Sequence, residues 1–248
     1  MKRLLSVLVF MSMTLSASEI TIAVAANVSY AMDELKEAFQ KKNPQIDVKV
    51  IVGGSGKLTA QIRSGAPYGL FMSANMIYPQ ALYDDKIATT LPLVYAEGAL
   101  AFLSVKKLDL SQGMQLLTNE KIKKIAIANP KTAPYGKAAV EAMKHAKVYD
   151  EVQSKFVYGE SISQTVSYTV MAADIGIIAK SALYSPRMRQ YREESHWLSV
   201  DASLYEPIKQ GIVLLKFAQN SAEYRAFYDF ILSQQAKAIL KKYGYIVS

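Results

Sequence analysis

The sequence predicts an α/β protein with mainly parallel sheets, divided between two lobes. Three observations carry this. Short apolar runs alternate with amphipathic runs of about 10 residues, the pattern of strands joined by crossover helices. The chain has 248 residues, of which about 230 lie beyond an apolar leader, enough for two lobes. Finally, Ala25-Ala26-Asn27-Val28-Ser29 and Gly53-Gly54-Ser55-Gly56-Lys57 are two strand-to-helix turns of small and hydroxyl or amide residues.

In chain order, Ile20 to Val24 reads as a strand. Tyr30 to Lys42 reads as a helix with Met32, Leu35 and Phe39 on one face, ended by Asn43-Pro44. Ile46 to Val52 is a strand, and Lys57 to Arg63 a helix stopped by Ser64-Gly65-Ala66-Pro67. Leu70 to Met72, Ala99 to Val105 and Ile125 to Ile127 are short buried strands. Gly136 to Ala146 is a helix that turns Ala139, Val140, Ala142 and Met143 inward. Ile162 to Met171 is a helix, Ile175 to Ile178 and Gly211 to Lys216 are strands, and two helices close the chain.

The turns give the first indication of chemistry. The N–H groups of a helix's first turn lack intrahelical partners, and the helix dipole is positive there, so such turns favour anions. Neither turn contains a carboxylate, Cys or His, which points to anion binding rather than metal ligation or acid–base catalysis. Two more helix starts have the same character. Thr132-Ala133-Pro134-Tyr135-Gly136 puts Pro134 at a favoured first helical position. Ser161-Ile162-Ser163-Gln164 has capping-box form, with Ser161 as N-cap and Gln164 three residues on. Ligands of open α/β sheets sit at the carboxyl edge, where four such starts can face one cleft.

Composition narrows the classes. Lys2 and Arg3, the apolar run Leu4 to Leu15 and the small residues Ser16, Ala17 and Ser18 read as a secretory signal peptide over 1–18, too short to span a bilayer. With no Cys, neither a disulfide nor a lipid-attached cysteine is available. Loss of Lys2 and Arg3 takes the formal charge from +8 to +6. The remaining basic residues are dispersed and not interleaved with stacking aromatics, so no nucleic-acid partner is expected. The positive balance is either an ordinary solvated surface or a mild field that speeds anion capture.

Competing readings fare less well. Gly53-Gly54-Ser55-Gly56-Lys57-Leu58 fails as a P-loop, because Ile51 and Leu58 stand where Gly and Ser or Thr are needed. His145 and His196 are the only histidines, and no metal-ligand spacing surrounds them. A secreted hydrolase using Ser55 would need one of them as base, without a supporting motif. A receptor for sulfate, phosphate or iron(III) stays open as an alternative, although the chain has no adjacent Tyr pair for iron.

The mature chain resembles, over essentially its whole length, the molybdate-binding periplasmic proteins that serve molybdate ABC transporters. The resemblance lies in Ala25 to Met32, Leu58 to Pro67, Leu70-Phe71-Met72-Ser73-Ala74, Ala128-Asn129-Pro130, Ala133-Pro134-Tyr135-Gly136, Ile175 to Ile178, Ala226 to Ile231 and Tyr243-Gly244-Tyr245. It implies a type II periplasmic binding protein fold that closes over one tetrahedral oxyanion in the interlobe cleft. The family's oxyanion donors fall on Asn27, Ser55, Tyr135 and Ile162, the last through its backbone N–H. Family members usually have Ser at Asn27, Tyr at Ala179, and Asp at Gly69 and Asn75, and Tyr135 offers a phenol in place of the missing one. Lobe one is expected over 19–98 and 206–248, and lobe two over 99–205. The resemblance implies a non-enzymatic periplasmic monomer without cofactor. Its ligand would be molybdate or tungstate and its partner an inner-membrane ABC permease.

Overall fold

The computed structural model describes residues 18–247. The signal-peptide reading concerns residues that, except for Ser18, lie outside these. The first part of the chain runs β1 (Ser18–Ala25), α1 (Ser29–Gln40), β2 (Ile46–Gly53), α2 (Ser55–Arg63), β3 (Leu70–Ser73), α3 (Ile77–Asp84) and β4 (Leu93–Gly98). The second part runs β5 (Leu100–Leu103), β6 (Ile125–Ala128), α4 (Pro134–His145), α5 (Tyr149–Val152), β7 (Phe156–Gly159), α6 (Ile162–Met171), β8 (Ile175–Ala179) and β9 (Trp197–Ser199). The chain then returns through β10 (Ile208–Leu214) to α7 (Ala222–Ile231) and α8 (Gln234–Lys242).

These strands form two five-stranded sheets, ordered β2-β1-β3-β10-β4 and β7-β6-β8-β5-β9. In the first sheet β2, β1 and β3 are parallel, and β10 runs antiparallel to both β3 and β4. In the second, β7, β6 and β8 are parallel, and β5 runs antiparallel to β8 and β9. Each mainly parallel sheet thus carries one reversed strand, and helices cover its faces, as a two-lobed α/β fold requires.

The core explains the strand sequences. Ile20, Ile22 and Val24 of β1 point to the face covered by α1, α7 and α8, where Phe39 and Phe227 meet edge to face at 5.0 Å. Between them Ala23 points to the other face, against Leu58 and Ile62 of α2. A small residue there lets α2 lie close to the sheet. In the second lobe, Ile125, Ile127 and Ile177 pack under α4, while Ala101, Leu103 and Ile178 meet Val166 of α6.

The apolar run 99–105, read from sequence as one strand, is the shorter β5, and a strand not read from sequence, β4, precedes it. β4 ends at Gly98 in the first sheet and β5 begins at Leu100 in the second. Periodicity does not show this, because the burial of β4 follows no alternation: Leu93 and Val94 are exposed, Tyr95 and Ala96 buried, and Glu97 partly buried. The last strand runs Ile208–Leu214 rather than 211–216, and α2 starts at Ser55 rather than Lys57. Among the described residues no helix is long and apolar enough to cross a membrane.

Candidate oxyanion site

Four helices start at the carboxyl ends of parallel strands: α1 after β1, α2 after β2, α4 after β6 and α6 after β7. Two belong to each lobe. Their turns surround a cavity of about 10 Å³ lined by Ala25, Ala26, Asn27, Gly53, Gly54, Ser55, Ala74, Ala133, Pro134, Tyr135 and Ile162. All four residues singled out in the sequence line it, and each is nearly inaccessible to solvent. The volume is below the roughly 300–1,000 Å³ usual for drug-sized ligands, so the site suits a compact one. A wider groove of about 540 Å³ lies outside it, between the start of α3 and α4, but its walls mix Lys137, Lys144 and Lys209 with Glu141 and Glu206. That mixture presents no single-signed field.

Unpaired donors line the cavity among apolar residues such as Ala25, Ala74 and Pro134. Ser55 and Ile162 are the first residues of α2 and α6, and Tyr135 is the second of α4, so their N–H groups have no acceptor within their own helices. The N–H groups of Ala26 and Val28 are spent on Gly53 and Ala25, at 2.9 Å each. For the N–H of Asn27, between them, no protein acceptor is found among the described residues.

Ser55 is not a helix cap. Gly54 holds that position, and the Ser55 Oγ instead accepts the N–H of Ala74 at the end of β3, at 2.9 Å. With that oxygen occupied as acceptor, the hydroxyl proton remains available to a ligand. At α6, Ser161 caps Gln164 N–H as expected at 3.3 Å. The Gln164 Oε1, however, takes the N–H of Glu160 at 2.7 Å, one residue earlier than a capping box has it. Glu160 is exposed and lines a separate outer groove with Lys57 and Gln61. Its carboxylate is not part of the cavity wall.

The Tyr135 phenol points away from a ligand role. Its hydroxyl lies 3.4 Å from Asn27 Nδ2, beside the Tyr245 hydroxyl that the same amide meets at 2.8 Å. The hydroxyl is thus turned toward Asn27, and the group of Tyr135 left without a partner in its own helix is the backbone N–H. Tyr135→Phe is accordingly expected to keep anion affinity within about threefold while losing about 1 kcal/mol of stability, the usual worth of one buried hydrogen bond. Titration calorimetry and chemical denaturation separate the two effects.

The lobes meet around the cavity. Ser163 Oγ donates to the Ala26 carbonyl at 3.1 Å, Ser181 Oγ to the Asn27 carbonyl at 2.9 Å, and Gly56 N–H to the Thr132 carbonyl at 3.0 Å. A Cβ on Gly56 would sit 2.9 Å from the Thr132 carbonyl oxygen, and one on Gly54 2.9 Å from that of Glu160. Glycine at both places lets the β2–α2 turn come flush against the other lobe. Thr132 and Ser163 fall within helix starts read from the sequence, but nothing there marked them, or Ser181, as contacts between lobes.

No charged side chain lines the cavity. Its single titratable group is Tyr135, whose hydroxyl is pushed well above its ordinary value by burial and then by the neighbouring Tyr245 and Tyr95. A raised phenol stays protonated and neutral at and below its ordinary value of about 10, so it cannot change the charge of the site there. Affinity for a fully ionised anion should therefore be flat, within about twofold, from about pH 6 to about 9. Titrations at three pH values test this, and a bell-shaped profile would place a titrating group in the wall. Neither His145, whose Nδ1 lies 2.7 Å from the Leu204 carbonyl oxygen, nor His196 lines the cavity to serve Ser55 as a base.

The chain matches the family model described as bacterial extracellular solute-binding protein over residues 20–246. It is 33% identical to the molybdate-binding protein ModA of Rhodobacter capsulatus, covering 98% of this chain and 94% of that protein. The ModA of Azotobacter vinelandii is also 33% identical, with 92% and 90% covered. Among solved structures, the periplasmic molybdate-binding protein of Azotobacter vinelandii superposes with a TM-score of 0.85 at 30% identity, over 92% of this chain and 99% of that one. The sulfate-binding protein SubI of Mycobacterium tuberculosis, at 12% identity and a TM-score of 0.75, shares the fold alone.

Proposed function

The chain belongs to the bacterial extracellular solute-binding proteins, and from that premise we propose that it captures molybdate outside the cytoplasm and delivers it to an ABC permease. The observation that carries this reading is the cavity itself: four helix starts, two from each lobe, converge on a small space walled by N–H and O–H donors without a charged group. The molybdate-binding relatives support the choice of anion.

Molybdate is a dianion near neutral pH and needs donors rather than acceptors. Neutral dipoles fixed before binding can hold it without a paired cation. Each hydrogen bond to a charged group contributes about 1.5–3 kcal/mol, so several offset its desolvation. The contacts proposed are the N–H groups of Asn27, Ser55, Tyr135 and Ile162 and the Ser55 hydroxyl. Tungstate, with the same charge and shape, is proposed as a second ligand. The periplasm is the proposed compartment and a monomer the proposed state. The lobes are proposed to span 19–98 with 206–248, and 99–205, hinging where the chain crosses between the sheets.

Titration calorimetry with molybdate, tungstate, sulfate and phosphate tests the reading. Molybdate and tungstate should bind tightly and alike. Sulfate, which is smaller, should bind more weakly, because rigid helix ends cannot all shorten to meet it. Hydrogen phosphate should bind least, since its proton needs an acceptor, no carboxylate lines the cavity, and the unpartnered Oδ1 of Asn27 is a neutral and weaker one. Tight phosphate binding in competition with molybdate would overturn the assignment.

A further inference from the structure

One fully buried side chain outside the cavity governs how Asn27 can meet a ligand. Gln210 sits in β10, where the pairing with β4 shifts register between Gln210 and Gly211. Its Nε2 donates to the Ile208 carbonyl at 2.7 Å and lies 3.5 Å from the carbonyl of Ala74. Two carbonyls at one end of a carboxamide fix that end as the donor. The Oε1 is then at the other end, where it accepts from Asn27 Nδ2 at 2.8 Å. The second proton of that amide is directed at the Tyr245 hydroxyl, also at 2.8 Å. Tyr245 in turn donates to the Asn27 carbonyl at 2.9 Å, and Ser181 donates to the same oxygen at 2.9 Å.

Both amide protons of Asn27 and both lone pairs of its carbonyl are thus spent within the protein. Two groups of the residue remain uncommitted: the backbone N–H and a buried Oδ1 that has no partner. An anion could draw Nδ2 to itself only by leaving Gln210 Oε1 unpaired where water cannot reach it.

Building on the oxyanion reading above, we propose that Gln210 and Tyr245 are positioning residues that hold the Asn27 carboxamide as a strut, so that Asn27 meets the anion through its backbone N–H and not through its side chain. The strut joins β10 and the segment after α8 to the β1–α1 turn. It fixes the peptide whose N–H faces the ligand.

The test is an amide-detected NMR titration of the ¹⁵N-labelled protein with molybdate, on wild type, Gln210→Met and Gln210→Glu. In wild type the backbone N–H signals of Asn27, Ser55 and Ile162 should move on binding, while the Asn27 side-chain NH₂ pair stays in place. In Gln210→Met that pair loses its acceptor and should move with the anion, and molybdate affinity should fall by roughly tenfold or more, as when a supporting residue behind a ligand is removed. Gln210→Glu supplies the conservative rescue. A buried carboxyl titrates above its ordinary range. Below that value, protonated, it donates to Ile208 and accepts from Asn27 as glutamine does. Above it, ionised, it faces two carbonyls. Affinity in Gln210→Glu should therefore match wild type in acid and fall as pH rises, whereas wild type stays flat. A residue that only supported the fold would lower the melting temperature without moving the NH₂ pair or the pH profile. Movement of the Asn27 NH₂ pair in wild type, together with Ser55 and Ile162, would overturn the strut and leave the oxyanion reading standing. Motionless backbone signals at Ser55 and Ile162 under every oxyanion would overturn the oxyanion reading and the strut with it.

Discussion

Gly98→Ala is expected to weaken molybdate binding by roughly fivefold to a hundredfold while the protein stays folded. The added Cβ would lie 1.9 Å from the Tyr135 hydroxyl oxygen, 3.0 Å from the ring carbon bearing it and 3.1 Å from Gln210 Nε2. Gly98 ends β4 in the first sheet, whereas Tyr135 belongs to α4 on the second. The phenol is buried and cannot swing into solvent, so the collision is relieved by drawing α4 back from the first sheet. That is the direction in which the cavity opens. Overpacking of this kind costs about 1–3 kcal/mol, here charged to the closed, ligand-holding state rather than to either lobe's core. Titration calorimetry measures the loss, and solution scattering should show a larger radius of gyration with molybdate present. Because the hydroxyl is the nearest atom, adding Tyr135→Phe should recover part of the affinity, a coupling that a double-mutant cycle reads directly. Wild-type affinity in Gly98→Ala would show that the two lobes accommodate the methyl without parting.

Ser55→Ala is expected to cost about 1–3 kcal/mol of binding, again fivefold to about a hundredfold, and to lower stability as well. Two groups lose their partner at once. The anion loses a hydroxyl donor, and the N–H of Ala74 loses the oxygen it donates to at 2.9 Å. Since Gly54 and not Ser55 caps α2, a lost cap does not account for the change. Thermal melts with and without molybdate separate the effects: the unliganded melting temperature reports Ala74, and the ligand-induced shift reports the anion. An unchanged shift beside a lowered baseline would reduce Ser55 to a scaffold residue.

The helix starts at the cavity were legible in the sequence because local chemistry writes them: a glycine pair before Ser55, Pro134 at a first helical position and Ser161 as a cap. Alternation of strand and helix gave the sheets for the same reason. What escaped is non-local. Gln210 and Tyr245 lie 183 and 218 residues from Asn27, and no spacing rule links them. Nor did the sequence indicate α3, whose first turn carries Pro79, the strand β4, or the two short strands β7 and β9. β7 has four residues and β9 three, too few for a period of two to stand out. The Tyr135 phenol was legible as an aromatic at a turn, but its direction was not: only the fold places Gly98 and Tyr245 around its hydroxyl.

The even division of the four helix starts has a consequence for unloading. Asn27 and Ser55 ride on one lobe, Tyr135 and Ile162 on the other. Separation of the lobes would therefore take away half of the proposed donors without a proton moving or a charge being neutralised. By thermodynamic reciprocity, whatever favours the parted form weakens the grip on the anion by the same factor with which the anion favours the shut one. A permease that clasps the two lobes at the spacing of the parted form would thus empty the carrier by mechanical work alone, at a rate indifferent to compartment pH.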